Sequence, residues 1–278
     1  MDKEEFKTFF APYSTNVDNA RSLAFWRLSD DLVMTAIKKY IPVDLPPDSV
    51  ILDAGGGTGR WICDLGKVYG CTFVLFDLSE DMLSVAARNI LNAGMVKRVK
   101  VVQGDLTEMK DIPSGSVNYI VSIYSPISFV SDKETAVKEM YRVLKKGGKI
   151  LIMGHGYYNA LASKINNYNT SVDELGCAEK ESMVKWGAGI PKLNLFSKES
   201  MEGLLKHCGF TPIATHGIPV FVQPGPEDWD ANNELKSRIS IALHEEAFYK
   251  RVFELETKYS DLPTVANRGM NIFSIAEK

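Results

Sequence analysis

Val50-Ile51-Leu52-Asp53-Ala54-Gly55-Gly56-Gly57-Thr58-Gly59 is the stretch on which the reading of this chain turns. Its first three residues are continuously apolar, as a parallel strand covered on both faces requires. The glycines that follow let the backbone turn sharply from strand into helix and approach a ligand closely. A dinucleotide fingerprint, G-x-G-x-x-G, beginning at Gly55 would need glycine at position 60, which is Arg60. A phosphate-cradling G-x-x-x-x-G-K-[ST] also fails, because no lysine follows Gly59 in that register. Asp53 sharpens the distinction: a carboxylate just before the loop repels a pyrophosphate but pairs with an ammonium such as that of an amino-acid moiety.

Outward from this loop, short β-branched runs alternate with helical patterns. Residues 49–53, 72–77, 99–103, 117–123 and 149–153 read as buried strands, and residues 59–69, 80–92 and 132–144 as amphipathic helices. This alternation predicts an α/β fold with a mostly parallel sheet and helices on both faces. Pro46-Pro47-Asp48 punctuates the chain before the first strand. Ser79 reads as an N-cap, with Glu80 and Asp81 complementing the helix dipole, while Lys145-Lys146-Gly147-Gly148 reads as a helix stop.

Two further acids extend the ligand reading. Asp77 ends the second strand, 20 residues beyond Gly57, where a carboxylate can accept both ribose hydroxyls of an adenosine group. Asp105, in Val102-Gln103-Gly104-Asp105-Leu106, ends the third strand within reach of an adenine amino group. Each acid alone also reads as an ordinary strand-end or capping residue; three successive strands ending in aspartate carry more weight.

As an ordered set, Asp53–Gly59, Leu75-Phe76-Asp77-Leu78-Ser79, Gly104-Asp105-Leu106 and Val143-Leu144-Lys145-Lys146-Gly147-Gly148 resemble the motifs of class I S-adenosylmethionine methyltransferases. The resemblance implies a Rossmann-like seven-stranded sheet whose last strand runs antiparallel. It implies S-adenosyl-L-methionine as cofactor, with Gly55, Gly57 and Gly59 around its methionine part and Asp77 on its ribose. Met82 would then lie against the adenine, and Leu78, Asp105, Leu106 and Ile123 would complete the cofactor site with Asp53. Met82 reads equally as core packing.

A longer resemblance, to bacterial tRNA carboxymethoxyuridine methyltransferases, rests on Arg21 with Trp26, Tyr157-Tyr158-Asn159, Gly217-Ile218-Pro219-Val220-Phe221, Leu255-Glu256-Thr257-Lys258-Tyr259 and the terminal strand. It implies that Arg21 reaches the cofactor carboxylate. The chain departs from that family at Ile190-Pro191-Lys192-Leu193-Asn194-Leu195-Phe196, which holds a single cation where the family is lysine-rich. Shared architecture follows more readily than shared substrate.

Three segments lie outside the regular core, 46–154, of what reads as a single domain: a helical cap over residues 1–45, with a helix from about 20 to 40, and insertions at 155–198 and 224–268, the latter with a helix from about 228 to 259. Methyl transfer from a sulfonium is a direct displacement that needs alignment above all, so no obligatory catalytic residue must appear. In Ser122-Ile123-Tyr124-Ser125-Pro126-Ile127, Tyr124 or Ser125 can orient an acceptor. The segment lacks the Asn/Asp-Pro-Pro-Tyr/Phe pattern of amino-group methylation. His155, emerging at the same rim after the fifth strand, is the expected general base. Tyr157, Tyr158, Trp186, Phe221 and Trp229 are expected to form an aromatic lid, or to pack the insertions together.

The chain has 278 residues, 45% of them hydrophobic, and its 32 basic and 35 acidic side chains leave a net charge of -3. That balance argues against a large nucleic-acid footprint. The N-terminus opens on charges, without a secretory pattern, and the apolar run at 117–123 is far too short to span a bilayer. A cytoplasmic protein without membrane contact is expected. Cys63, Cys71, Cys177 and Cys208 are scattered without ligand spacing, so reduced thiols and no metal are expected. The leading function is transfer of a methyl group to oxygen, nitrogen or carbon of a small molecule; tRNA wobble-uridine carboxyl methylation is the alternative, and a non-catalytic adenosyl-binding regulator is the reading from another class.

Overall fold

The computed structural model describes residues 8–14, 17–168, 170–187, 190–228 and 236–278, with the side chains at 13, 17, 20, 21 and 226 outside that description. Five parallel strands form its centre: β1 (Val50–Ala54), β2 (Thr72–Asp77), β3 (Val99–Gln103), β4 (Val117–Ser122) and β5 (Leu144–Gly156). Their order is β3-β2-β1-β4-β5, so the direction of winding reverses between β1 and β4. A crevice opens at such a reversal, beyond the carboxyl ends of the strands.

On the far side of β5 the sheet continues through β9 (Asn271–Glu277), which is antiparallel, and β8 (Thr211–Ile218), which is antiparallel to β9. These seven strands are those expected. Two more come from the first insertion: β6 (Met183–Val184) and β7 (Leu193–Phe196) form an antiparallel ribbon, and β7 extends β5 in parallel at His155 and Gly156.

Helices cover both faces because their apolar residues recur every three or four positions. In α1 (Ala24–Tyr40), Phe25, Leu28, Leu32, Val33, Ala36 and Ile37 are buried in one core cluster. The same cluster takes Ile62 and Leu65 of α2 (Arg60–Leu65) and Leu83, Ala86 and Ile90 of α3 (Glu80–Asn92). The opposite face carries a second cluster, under α5 (Lys133–Val143), which follows the single turn α4 (Pro126–Phe129), and α8 (Lys198–His207). Ser79 caps α3 by accepting from the Met82 amide, as its sequence position predicts.

Two boundaries differ from the sequence reading. Lys145-Lys146-Gly147-Gly148 does not stop α5 from outside but begins β5, with Gly147 in the left-handed region. The second insertion does not hold one long helix: α9 (Arg238–Ala242) and α10 (Glu246–Tyr259) are separated, because Glu245 caps α10 by accepting from the Ala247 and Phe248 amides. Residues 229–235, Trp229 among them, lie outside the described part. The first insertion folds as α6 (Tyr157–Asn167) and α7 (Val172–Glu181) before the ribbon, and α11 (Pro263–Ala266) leads into β9. Cys71 and Cys208 are buried, Cys63 and Cys177 half-buried, and all four are free thiols. Among the described residues no helix is long and apolar enough to cross a membrane, and no cluster of potential metal ligands occurs.

Candidate active site

A cavity of about 320 Å³ opens at the carboxyl ends of β1 to β5. Its floor is the glycine loop. Gly55, Gly57 and Gly59 have φ of 79°, 53° and 71°, in the left-handed region that an L side chain rarely adopts. At Gly55 a Cβ would also stand 2.5 Å from the Cβ of Pro126. The loop is pinned by the Gly55 and Gly56 amides, which donate to the Phe76 carbonyl at 2.8 and 3.2 Å.

Asp77 joins loop and strand. One carboxylate oxygen accepts from the Gly57 amide at 2.9 Å and the other from the Ser79 amide at 2.9 Å, while the residue lines the cavity. Burial raises its pKa, opposed by the Ser79 and Gly57 amides. Leu78, Met82, Asp105, Leu106 and Ile123 line the cavity with it. Asp105 Oδ1 accepts from the Thr107 amide and hydroxyl, both at 2.8 Å.

Asp53 departs from expectation. It does not line the cavity but lies beneath the loop, where a Cβ on Gly56 would stand 2.6 Å from its Oδ2. That Oδ2 is buried without a hydrogen-bond partner in the structure. Burial, reinforced by the Asp77 charge and opposed by Arg60, pushes the carboxyl pKa up to about 7. Its influence on a ligand is therefore through the field, across one layer of backbone.

The N-terminal cap forms one wall. Phe10, Asp18 and Trp26 line the cavity, and Asp18 Oδ1 accepts from the Thr58 hydroxyl at 2.9 Å. Trp26 and Trp61 flank Tyr124 at ring-centroid distances of 5.2 and 6.1 Å. Arg21, expected at the cofactor carboxylate, has its side chain outside the described part. Of the cap residues here, Trp26 figures in the sequence reading, whereas Phe10 and Asp18 carry no local signal, nor does Trp61 beyond its place next to the loop.

Tyr124 and His155, the expected acceptor-side groups, both line the cavity. Tyr124 and Ser125 have φ of 59° and 68°, two successive non-glycine residues in a strained conformation at the end of β4. The Tyr124 hydroxyl donates to Asp30, and burial together with that carboxylate drives its pKa upward. Its phenol is thus committed to the cap rather than presented to an acceptor. The His155 amide donates to the Ser128 hydroxyl at 2.9 Å, and burial lowers the imidazole pKa to about 4, opposed by a hydrogen bond to Asn271. Asn271, also at the cavity, is a functional candidate that sequence reading missed.

The expected aromatic lid is not where the sequence placed it: Tyr157, Tyr158, Trp186 and Phe221 do not line the cavity. Tyr157 and Trp186 pack on a small core of Ala160, Val184, Leu193 and Leu195 inside the first insertion. Tyr158 stacks edge-on against Tyr157, and Phe221 against Tyr259. The insertions use their aromatics to bury themselves; the aromatic wall comes from Phe10, Trp26, Trp61, Tyr124 and Phe129 instead.

Residues 51–148 match a family described as a methyltransferase domain. The ubiquinone/menaquinone biosynthesis C-methyltransferase UbiE of Enterobacter sp. (strain 638) is 34% identical over 105 residues, 37% of this chain and 41% of that protein. The chain thus matches about two fifths of that relative's length. Two solved structures share the fold: an S-adenosylmethionine-dependent methyltransferase of Thermotoga maritima (18% identity, 98% of this chain and 99% of the other, TM-score 0.59) and the geranyl diphosphate C-methyltransferase of Streptomyces coelicolor A3(2) (13% identity, 89% and 78%, TM-score 0.54). The second was solved with Mg2+, geranyl diphosphate and S-adenosyl-L-homocysteine.

Fold and match coincide over one segment: residues 51–148, which hold the glycine loop and Asp77, are similar to the methyltransferase-domain family and lie on a Rossmann-like sheet.

Proposed function

We propose that the protein transfers the methyl group of S-adenosylmethionine to a small acceptor with a largely apolar surface. The observation that carries this reading is the charge of the cleft. Asp18 and Asp77 line it, Asp53 lies under its floor and Asp30 is next to its wall, with Arg60 as the cation lining it among the described residues. Such a site favours a cationic nucleoside and opposes a nucleotide pyrophosphate. The residues present fit the cofactor: Asp77 for the ribose, Leu78, Met82, Asp105 and Leu106 for the adenine, and the glycine turn for the methionine part.

When bound, S-adenosylmethionine supplies a methyl group on positively charged sulfur. The chain's task is to align the acceptor and exclude water. Phe129, Val130 and Met270 offer apolar contact at the His155 side of the cavity, and Ser131 and Asn271 offer polar anchors. In this reading His155, held neutral by burial, takes the acceptor's proton as the acceptor bonds to the methyl carbon and the carbon–sulfur bond breaks. Oxygen or nitrogen becomes strongly acidic once it bears the methyl, so a weakly basic imidazole suffices. A small acceptor is favoured over tRNA because lysines of the first insertion are paired internally, Lys164 with Glu174 and Lys192 with Glu181.

Calorimetry with S-adenosylmethionine, NAD and ATP tests the ligand, and labelled-methyl transfer into metabolite and RNA extracts tests the acceptor. The expected result is binding of the first ligand alone, at least tenfold weaker in Asp77→Ala, with label in small molecules. His155→Ala should slow transfer and spare cofactor affinity. Tight binding of NAD or ATP in place of S-adenosylmethionine would overturn the proposal.

A further inference from the structure

Three strands end together at the acceptor side of the cavity. His155 on β5 lies directly opposite Asn271 on β9, which in turn lies opposite Ile218 on β8. The backbones here are in close contact: a Cβ on Gly156 would stand 2.0 Å from the Gly269 carbonyl oxygen, and the Gly156 amide donates to the Met270 carbonyl at 2.9 Å. Asn271 is buried in this corner, yet lines the cavity beside His155.

The orientation of the Asn271 amide follows from its neighbours. Nδ2 lies 3.4 Å from the Ile218 carbonyl oxygen, and a backbone carbonyl can only accept, so the NH2 group must face it. Oδ1 then faces the other way, where it accepts from the Ser125 hydroxyl at 3.0 Å. An amide oxygen carries two lone pairs. The second is available to the imidazole of His155, and a group that only accepts demands an N–H from it.

We propose that Asn271 is a positioning residue that fixes the tautomer of His155: the ring nitrogen facing Asn271 carries the hydrogen and the other is left bare. This rests on the reading of His155 as the base, and adds what makes it one, since a neutral imidazole accepts a proton only at its unprotonated nitrogen. Ser125, in the strained turn after β4, completes the relay by occupying the other lone pair of Oδ1. Among the described residues, burial and the Asn271 amide account for the shift at His155, with no charged group acting on it. Ser128, Phe129 and Leu195 also stand beside it, and none of them titrates.

The test is long-range proton–nitrogen NMR on the whole protein labelled at its 4 histidines, with His155 assigned by comparison with His155→Gln. Wild type should show one neutral tautomer at His155, protonating only near pH 4. Asn271→Asp keeps the acceptor and adds a charge, so it should keep the tautomer and raise the titration midpoint by about one pH unit or more. Asn271→Leu should let both tautomers appear. A mixture in wild type, an unmoved midpoint in Asn271→Asp, or an unchanged tautomer in folded Asn271→Leu each overturns the assignment. If the leucine variant does not fold, wild type and Asn271→Asp decide. None of these spectra uses cofactor or acceptor, so failure of the methyltransferase reading, seen in calorimetry and transfer, is separately visible.

Discussion

Arg60, in the first turn after the glycine loop, grips Asp30 of the N-terminal helix with both terminal nitrogens: Nη1 donates to Oδ2 at 2.5 Å and Nη2 to Oδ1 at 3.2 Å. The same carboxylate accepts from the Tyr124 hydroxyl, and the Arg60 guanidinium lies 5.3 Å from the Trp61 ring and 5.4 Å from the Tyr124 ring. One cation thereby ties cap, loop and the end of β4 into one wall.

Because the pair is mostly buried, removing either partner strands the other. Arg60→Met and Asp30→Asn should each cost about 2–4 kcal/mol of stability, with the double variant losing clearly less than the two losses combined. Denaturant unfolding of the four proteins measures this. Simple additivity would mean that the two residues are not coupled.

At Gly55, alanine meets two obstacles, the left-handed backbone and the Pro126 ring. Gly147 has a similar φ of 74° but open space around a built Cβ. Gly147→Ala should therefore cost about 1 kcal/mol, the backbone penalty alone. Gly55→Ala should cost more and weaken S-adenosylmethionine binding at least tenfold, about 1.4 kcal/mol or more. Equal losses in thermal unfolding would show that the Pro126 contact yields at no cost.

His216 supplies an acid-sensitive contribution far from the reacting groups. It is buried between the Tyr40 hydroxyl at 3.2 Å and the Ser260 hydroxyl at 3.0 Å, and burial lowers its pKa from 6.5 to about 4. The unfolded chain binds this proton first, so stability is lost as pH falls from about 6.5 towards 4. Asp53 acts with the opposite sign: the folded state holds its proton more tightly, so stability is lost as pH rises from about 4 to about 7. Between pH 7 and pH 5, His216→Gln should lose roughly 2 kcal/mol less than wild type in urea unfolding. Parallel losses would dismiss His216 as the acid-sensitive group.

Glu256, fully buried on α10, accepts from the backbone amides of Val220, Phe221 and Val222 at 2.7, 2.8 and 2.8 Å. Glu256→Ala leaves three backbone donors without their partner, those of Val220 and Val222 buried, and should cost about 3–5 kcal/mol; Glu256→Gln keeps one acceptor oxygen and should cost less. Unfolding free energies near wild type for both would show that water replaces the carboxylate without cost.

What was legible in the sequence follows from range. The strand–loop–helix around Gly55, Asp77 at the next strand tip and the Ser79 cap are local patterns, and the structure forms each of them, with Gly55 and Asp77 lining the cavity. Asp53 misled because spacing says which strand end a residue occupies but not whether the loop folds over it. The aromatics of the insertion misled for another reason: Tyr157 and Trp186 serve a core that only the fold of α6, β6 and β7 creates. Asn271 had no signal at all, since its role depends on pairing with His155, more than a hundred positions earlier.

Phe10, Asp18 and Trp26 have a practical consequence. The recognisable homology starts at residue 51, yet part of the enclosure belongs to the first 26 residues and part to Met270 and Asn271 near the other end. A truncation cut to the homologous span would keep the nucleoside-reading loop while leaving it open to solvent. During synthesis, likewise, Phe10, Asp18 and Trp26 must wait until Met270 and Asn271 have been made before the enclosure can close.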